Sequence, residues 1–372
     1  MRTFRFALLA IICSLGWSGP LGAEIAIGFA NPLSGPYALT GTRNRIAVEM
    51  AVRDLNDRGG VLNQEVTLAI ADDACGIEKS LEAARQLIAA DVTAVIGHMC
   101  SHSSLLAAGL YETANVLMIT PGSTHPRLTE EGRGNVFRLI GRDDHQGQLA
   151  GDFLADRWEG AEIAILHDGS IYGEGLARET RKQLRARGEV EAIYAQYEPG
   201  QNDYGSLVGD LWRTEVDVLY IGGYGPDAGL ILKTARDQDH DIQLIGGDGL
   251  GMDEFWSVAK DAGEGAVFTG RPVVNDHSST MKLLAEFQRR GLGEGTGGMG
   301  AYAAVQVWGQ AVEHAGTIEL GPVAAALRRG RFATVLDHVA FDHKGDLEGA
   351  DWQWKVWSDG ARLPISSDHP TH

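Results

Sequence analysis

Residues 94–104 read Ala94-Val95-Ile96-Gly97-His98-Met99-Cys100-Ser101-His102-Ser103-Ser104, and this stretch decides the fold. Its first residues are short, apolar and β-branched and stop at Gly97, the pattern of a strand buried in a parallel sheet. The residues that follow, Leu105-Leu106-Ala107-Ala108-Gly109-Leu110-Tyr111, have helical spacing, with hydroxyl residues ahead of them as N-cap candidates. The hydroxyls thus stand where a strand's carboxyl end becomes a helix's amino end. Free amides and the positive end of the helix dipole make that place a natural anion site. Cys100 in its middle invites a reactive-thiol or metal reading.

On either side the same strand-then-helix alternation continues. Strands are expected at Glu24–Ala30, Val66–Ala71, Val116–Thr120 and Val136–Ile140, with a Pro/Gly/Ser loop over Asn31–Gly41 and a helix after it. A second series runs through Glu162–His167, Glu191–Tyr197, Val216–Gly222, Gln243–Gly246 and Ala266–Gly270. The helices Met281–Arg290 and Ala301–His314 have no strand between them, and the tail Val335–Trp357 reads as strand with turns. Repeated βα units of this kind predict an α/β protein of two doubly wound, Rossmann-like lobes joined by crossovers. The expected division is 24–142 plus 272–350 for the N-terminal lobe and 143–271 plus 351–372 for the C-terminal lobe. Ligands of such sheets sit beyond the carboxyl ends of the strands, here in the cleft between lobes.

Composition narrows the function. Among 372 residues, Arg2 and Arg5 precede an apolar run from Phe6 to Leu15, and small residues continue to Ala23. That is a secretory signal peptide over 1–23, too short to span a bilayer. Ile11-Ile12 before Cys13 lack the small residue that lipoprotein processing needs. The whole chain carries a net charge of −18, and loss of the two arginines takes it to −20. Such acidity excludes nucleic acid and anionic membranes as partners. Cys75 and Cys100 are the two cysteines left, and in an exported protein an isolated pair is most simply one disulfide. Closing that loop contributes about 3 kcal/mol by chain entropy.

The strand-end loops carry an ordered set of short motifs. Asn31-Pro32-Leu33-Ser34-Gly35-Pro36, Asp72-Asp73-Ala74-Cys75, Gly97-His98-Met99-Cys100-Ser101 and Thr120-Pro121-Gly122-Ser123-Thr124 come first. His167-Asp168 with Tyr172-Gly173-Glu174-Gly175, Gly222-Gly223-Tyr224, Gly247-Asp248-Gly249 and Phe341-Asp342-His343-Lys344-Gly345-Asp346 follow. Together they resemble the periplasmic leucine/isoleucine/valine-binding proteins, the substrate-binding components of branched-chain amino-acid ABC transporters. The resemblance covers essentially the whole exported chain and implies the type I periplasmic binding protein fold. It also implies a monomer in the periplasm, hinge closure on a branched-chain or related small amino acid, delivery to permease subunits, and no enzymatic activity or cofactor.

By the same resemblance Ser101 and the Ser123-Thr124 loop hold the ligand's α-carboxylate and part of its ammonium. Asp248 pairs with the ammonium, Tyr172 and Tyr224 lie over the ligand, and Cys75–Cys100 is the family disulfide. Two departures stand out. Asp248 is one methylene shorter than the glutamate of the best-known members, and Thr40 occupies a position that often carries a large aromatic. Gly298–Gly300 is small as well, so the pocket is expected to be roomier or more polar, with His102 a polar or titrating group at its rim. Receptors for urea or a short amide, and sensory ligand-binding modules, fit the same pattern.

Competing motifs weigh less. His98, His102 and His125 gather near Cys100, but a disulfide cysteine is not a thiolate ligand, so no metal is expected. Gly293-Glu294-Gly295-Thr296-Gly297-Gly298 matches a dinucleotide fingerprint by letter, yet follows a helical pattern and not a strand. No P-loop, nucleophile elbow or HExxH motif is present, and no catalytic residue is assigned.

Overall fold

The computed structural model describes residues 24–272, 278–290 and 298–365. The signal segment 1–23, residues 291–297 of the glycine-rich stretch and the tail 366–372 lie outside them.

The first sheet is built from β1 (Ile25–Asn31), β2 (Val66–Asp72), β3 (Ala94–Gly97), β4 (Leu117–Thr120) and β5 (Val136–Arg138). Between them run α1 (Ala38–Asn56), α2 (Ile77–Ala89), α3 (Ser101–Thr113) and the short α4 (Arg127–Glu130). The strand order is β2-β1-β3-β4-β5, all parallel. The order reverses between β1 and β3, which opens a crevice at their carboxyl ends. β3 is buried along its whole length, as its unbroken apolar run requires.

After α5 (Asp143–Arg157) come β6 (Ile163–His167), α6 (Ile171–Ala186), β7 (Ile193–Gln196), α7 (Gly205–Arg213) and β8 (Val218–Gly222). Next are α8 (Gly225–Asp237), β9 (Gln243–Gly246), α9 (Asp253–Ala259) and β10 (Val267–Gly270). The chain then passes through α10 (Ser278–Arg289), α11 (Met299–Ala315), α12 (Leu320–Arg329) and a hairpin of β11 (Phe332–Thr334) with β12 (Asp337–Val339). It finishes as β13 (Gln353–Ser358) and β14 (Ala361–Pro364). The second sheet has the order β14-β13-β10-β9-β8-β6-β7, with β13 antiparallel to β10.

The three late helices explain the missing strand between them. Leu283, Phe287, Trp308, Val312 and Leu327 join one core with Ile27, Phe29, Ile96 and Ile119 of the first sheet. β13 and β14 then return to the second sheet.

Three sequence expectations need correction. α1 begins at Ala38, inside the expected loop, so Thr40 and Gly41 belong to its first turn. That turn lies so close to the preceding loop that a Cβ on Gly41 would fall 1.8 Å from the Pro32 carbonyl oxygen. The tail is strand only at its two ends. In between, the Asp342 carboxylate folds 342–346 into a turn by accepting from the amides of Lys344, Gly345 and Asp346. α12 had no counterpart in the sequence reading.

Gly97 is a point of close backbone approach between β3 and β1. It has φ +145°, and a Cβ there would lie 2.2 Å from the backbone oxygen of Ala30. Gly97→Ala is expected to destabilise the protein by about 3 kcal/mol, since strain and overpacking add. Urea unfolding should show a lower midpoint with an unchanged slope.

Candidate functional site

The carboxyl ends of both sheets face one cavity of about 200 Å³ between the lobes. From the first lobe Thr40, Met99, Ser101 and Gly122 line it, and from the second Tyr172, Tyr224, Asp248, Arg271 and Lys355.

On the first-lobe wall, Ser101 is the first residue of α3 and is 2% exposed. The expected N-cap was a hydroxyl, but the cap is Cys100, held in extended conformation with φ −75° and ψ 134° and bonded to Cys75. The two cysteines have Cα atoms 5.7 Å apart, an ordinary disulfide span. The disulfide ties the loop after β2 to the start of α3 and so settles where the helix begins. Within α3, the amide of Ser104 is the one that reaches back to Cys100 O. The amides of Ser101, His102 and Ser103 precede the first intrahelical acceptor, so they form a donor set at the positive end of the helix.

The Ser123-Thr124 loop stands behind this wall and does not line the cavity. The Ser123 hydroxyl lies 2.7 Å from that of Ser104 and also reaches Met99 O at 3.0 Å. Thr124 Oγ1 is buried without a hydrogen-bond partner. Arg138 donates to the carbonyls of Ser123 and His125, and the His125 amide donates to Ser101 Oγ at 3.4 Å. The loop therefore supports Ser101 from behind.

His102 is absent from the cavity lining. Its Nε2 donates to Cys75 O at 2.6 Å, and burial holds its pKa below the ordinary 6.5, so the ring is neutral near pH 7. His102 therefore stands off the cavity rim, where a polar or titrating group was expected, and braces the Cys75 end of the disulfide. His98 is enclosed between Asp73 and Tyr111, and burial pushes His125 down to about 4. Each imidazole has its own partner, and among the described residues no three His, Cys, Asp or Glu side chains meet in metal-binding geometry.

The second-lobe wall is organised around Asp248. Its Oδ1 accepts from the Tyr172 hydroxyl at 2.8 Å and from Gln146 Nε2 at 3.1 Å. Gln146 Oε1 in turn accepts the Asp248 amide at 2.8 Å and the Thr269 hydroxyl, so Gln146 clamps residue 248 from α5. The flanking glycines are forced by crowding. A Cβ on Gly247 would sit 2.3 Å from Leu176 Cδ2, and one on Gly249 would sit 2.3 Å from Gly223 O. Burial raises the Asp248 pKa, and burial with the charge of Asp248 raises fully enclosed Asp143 well above the carboxylate range. Two carboxyl groups joined through one glutamine make a site that favours a cation beside Asp248.

The aromatic lid comes from both lobes. The Tyr224 ring lies 5.0 Å from Tyr172 and 4.9 Å from Tyr37, which belongs to the first lobe. Tyr37 does not itself line the cavity; it packs on Tyr224 from the turn just before α1, a position that no strand-end motif marks. Thr40 does line the cavity, yet its amide and hydroxyl both donate to Glu254, at 2.8 and 2.6 Å. Beside it Arg43 of α1 pairs with Asp253 of α9 at 2.9 Å. Instead of merely vacating space, Thr40 forms part of a polar latch that holds the lobes together.

Comparison with known proteins agrees with this architecture. Residues 24–350 match the periplasmic binding protein family model. Leu/Ile/Val-binding protein homolog 1 of Brucella abortus is 34% identical over 362 residues, covering 97% of this chain and 98% of the relative. The leucine-, isoleucine-, valine-, threonine- and alanine-binding protein of Pseudomonas aeruginosa is 35% identical, with 97% of each chain covered. The solved leucine-binding protein LivK of Thermotoga maritima superposes with a TM-score of 0.84 at 24% identity, covering 92% of this chain and 98% of its own. LivJ of Streptococcus pneumoniae, solved with isoleucine, gives 0.82 at 22% identity, covering 92% and 99%. With residues 24–350 matched by the family model and nearly its full length aligned to relatives named as amino-acid-binding proteins, the chain belongs to the periplasmic binding protein family.

Proposed function

We propose that this protein captures an α-amino acid in the periplasm and delivers it to the permease of an ABC transporter. The observation that carries the reading is the polarity of the cavity. Helix-end donors beside Ser101 face it from one lobe, and Asp248, braced by Tyr172 and Gln146, faces it from the other. A zwitterion needs both, because either buried charge left unpaired is costly. Relatives named for leucine, isoleucine, valine, threonine and alanine support an amino-acid head group.

In this mechanism the α-carboxylate docks first on the α3 amino end and Ser101, with the Ser123-Thr124 loop behind them. Closure then brings Asp248 to the ammonium and Tyr224 over the ligand. It is a population shift driven by contacts present only in the closed form. Calorimetry across the common amino acids tests the reading, and absence of binding below millimolar for all of them overturns it. The latch makes a second prediction. Glu254→Ala removes both acceptors of Thr40 and is expected to weaken ligand affinity about tenfold. Thermal unfolding of the ligand-free protein should change little.

A further inference from the structure

We propose that the cavity is built for an amino acid whose side chain ends in a second acidic group, held by Arg271 and Lys355. The inference rests on the amino-acid reading above and adds the class of side chain.

The charges that line the cavity do not balance. Four cations, Arg43, Arg271, Lys355 and Arg362, face two carboxylates, Asp248 and Asp253. Arg43 and Arg362 both pair with Asp253. Asp248 is the counter-charge for the ligand's ammonium. No carboxylate among the described residues lies within ion-pair distance of Arg271 or Lys355, and no described acceptor hydrogen-bonds either one.

Both are placed by rigid elements. Lys355 is on β13, directly opposite Phe268 of β10, and is 5% exposed. Its stem runs along Gly270, where a Cβ would meet Lys355 Cδ at 3.2 Å and Cε at 3.3 Å. Arg271 leaves the end of β10, and its Nη2 lies 3.2 Å from the position of a Cβ on Gly300. The small residues at 270 and 300 therefore leave room for the two cationic side chains. Burial first, then the neighbouring charges of Arg362 and Arg271, push the Lys355 pKa down to about 8. Burial likewise lowers Arg271 to about 10, against the attraction of Asp248.

Ligands of different charge leave different residues. With a branched aliphatic side chain, closure would leave two desolvated cations without a partner, which is strongly unfavourable. A terminal carboxylate supplies the missing partner, and a guanidinium with an ammonium is a strong donor pair for it. The α-carboxylate meanwhile stays with the α3 amino end.

Calorimetry on protein stripped of co-purified ligand by denaturant exchange and refolding tests this. Glutamate and aspartate are compared with glutamine, asparagine and leucine. Glutamate or aspartate is expected to bind at least tenfold more tightly than its own amide. Lys355→Met and Arg271→Gln should remove that preference while amide binding survives, with circular dichroism confirming that they fold. Equal or tighter binding of the amides or leucine overturns the acidic side chain and leaves the amino-acid reading standing. If no amino acid binds, the amino-acid reading fails and this inference falls with it. The wild-type comparison alone decides the matter if either variant fails to fold.

Discussion

Asp248→Ala is expected to weaken amino-acid binding at least a hundredfold with a much smaller effect on the stability of the ligand-free protein. Both halves of that expectation turn on one carboxylate. In the proposed binding mode Asp248 is the counter-ion of a desolvated ammonium, and removing one partner of a buried charge pair costs about 3–5 kcal/mol. In the empty cleft burial raises its pKa, and its charge helps to raise that of Asp143. Deleting the carboxylate removes a desolvated charge but also the acceptor of Tyr172 and Gln146 and the attraction on Arg271, so these opposing effects should leave the unfolding midpoint of the apo form changed far less than affinity. Asp248→Asn separates charge from hydrogen bonding. The amide oxygen still accepts from Tyr172, so the local structure persists while affinity falls nearly as far. Calorimetry paired with thermal unfolding checks both halves. An Asp248→Ala protein that binds its ligand like wild type would remove this residue from the site.

The parts of the site that were legible in the sequence are those that stand at strand ends. Ser101, Tyr172, Tyr224 and Asp248 each follow a strand by a few residues, and parallel sheets bring such ends to one crevice. Gln146, Arg271 and Lys355 were not legible. They sit on α5, just past β10 and on a returning antiparallel strand; Arg271 and Lys355 meet in the cavity only through the way the lobes join, and Gln146 acts from behind it through Asp248. Ser123 shows the converse. Its position in the motif is right for a ligand contact, but the hydroxyl turns inward to Ser104 and the backbone. Direction of a side chain is set by local packing, which a linear motif does not encode.

The fold shows the same division. β3 and its neighbours were readable because a buried parallel strand is a short apolar run with a hard stop. α12 was not, since Leu320-Gly321-Pro322 reads as a turn. Pro322 falls in the first helical turn, where its missing amide is harmless. The Phe341–Asp346 motif carries a resemblance in sequence, but its physical role lies in contacts of Asp346 with Thr129, Arg138 and Arg142, more than 200 positions earlier.

That role carries the largest stability effect expected in the molecule. Arg138 is fully buried on β5, and its Nε donates to Asp346 Oδ1 at 2.6 Å. Arg142 donates to Oδ2 at 2.8 Å, and Thr129 bridges both oxygens. Asp346→Ala leaves the Arg138 guanidinium buried without its counter-ion, which should cost about 3–5 kcal/mol. Asp346→Asn retains acceptors and should cost less. The same guanidinium holds the carbonyls of Ser123 and His125, so ligand affinity in Asp346→Ala should fall together with stability. Acid separates this account from a simple packing defect. Burial alone would raise the Asp346 pKa, but the charge of Arg138 and the bonds from Arg142, Arg138 and Thr129 outweigh it and hold the pKa below the ordinary 3.8. A depressed carboxylate contributes its full stabilisation above the unfolded-state value and loses it as pH falls through the folded-state value. Denaturant titrations should therefore show the gap between wild type and Asp346→Ala at full size near neutrality and narrowing below about pH 4. A gap independent of pH would assign the loss to packing and not to the ion pair.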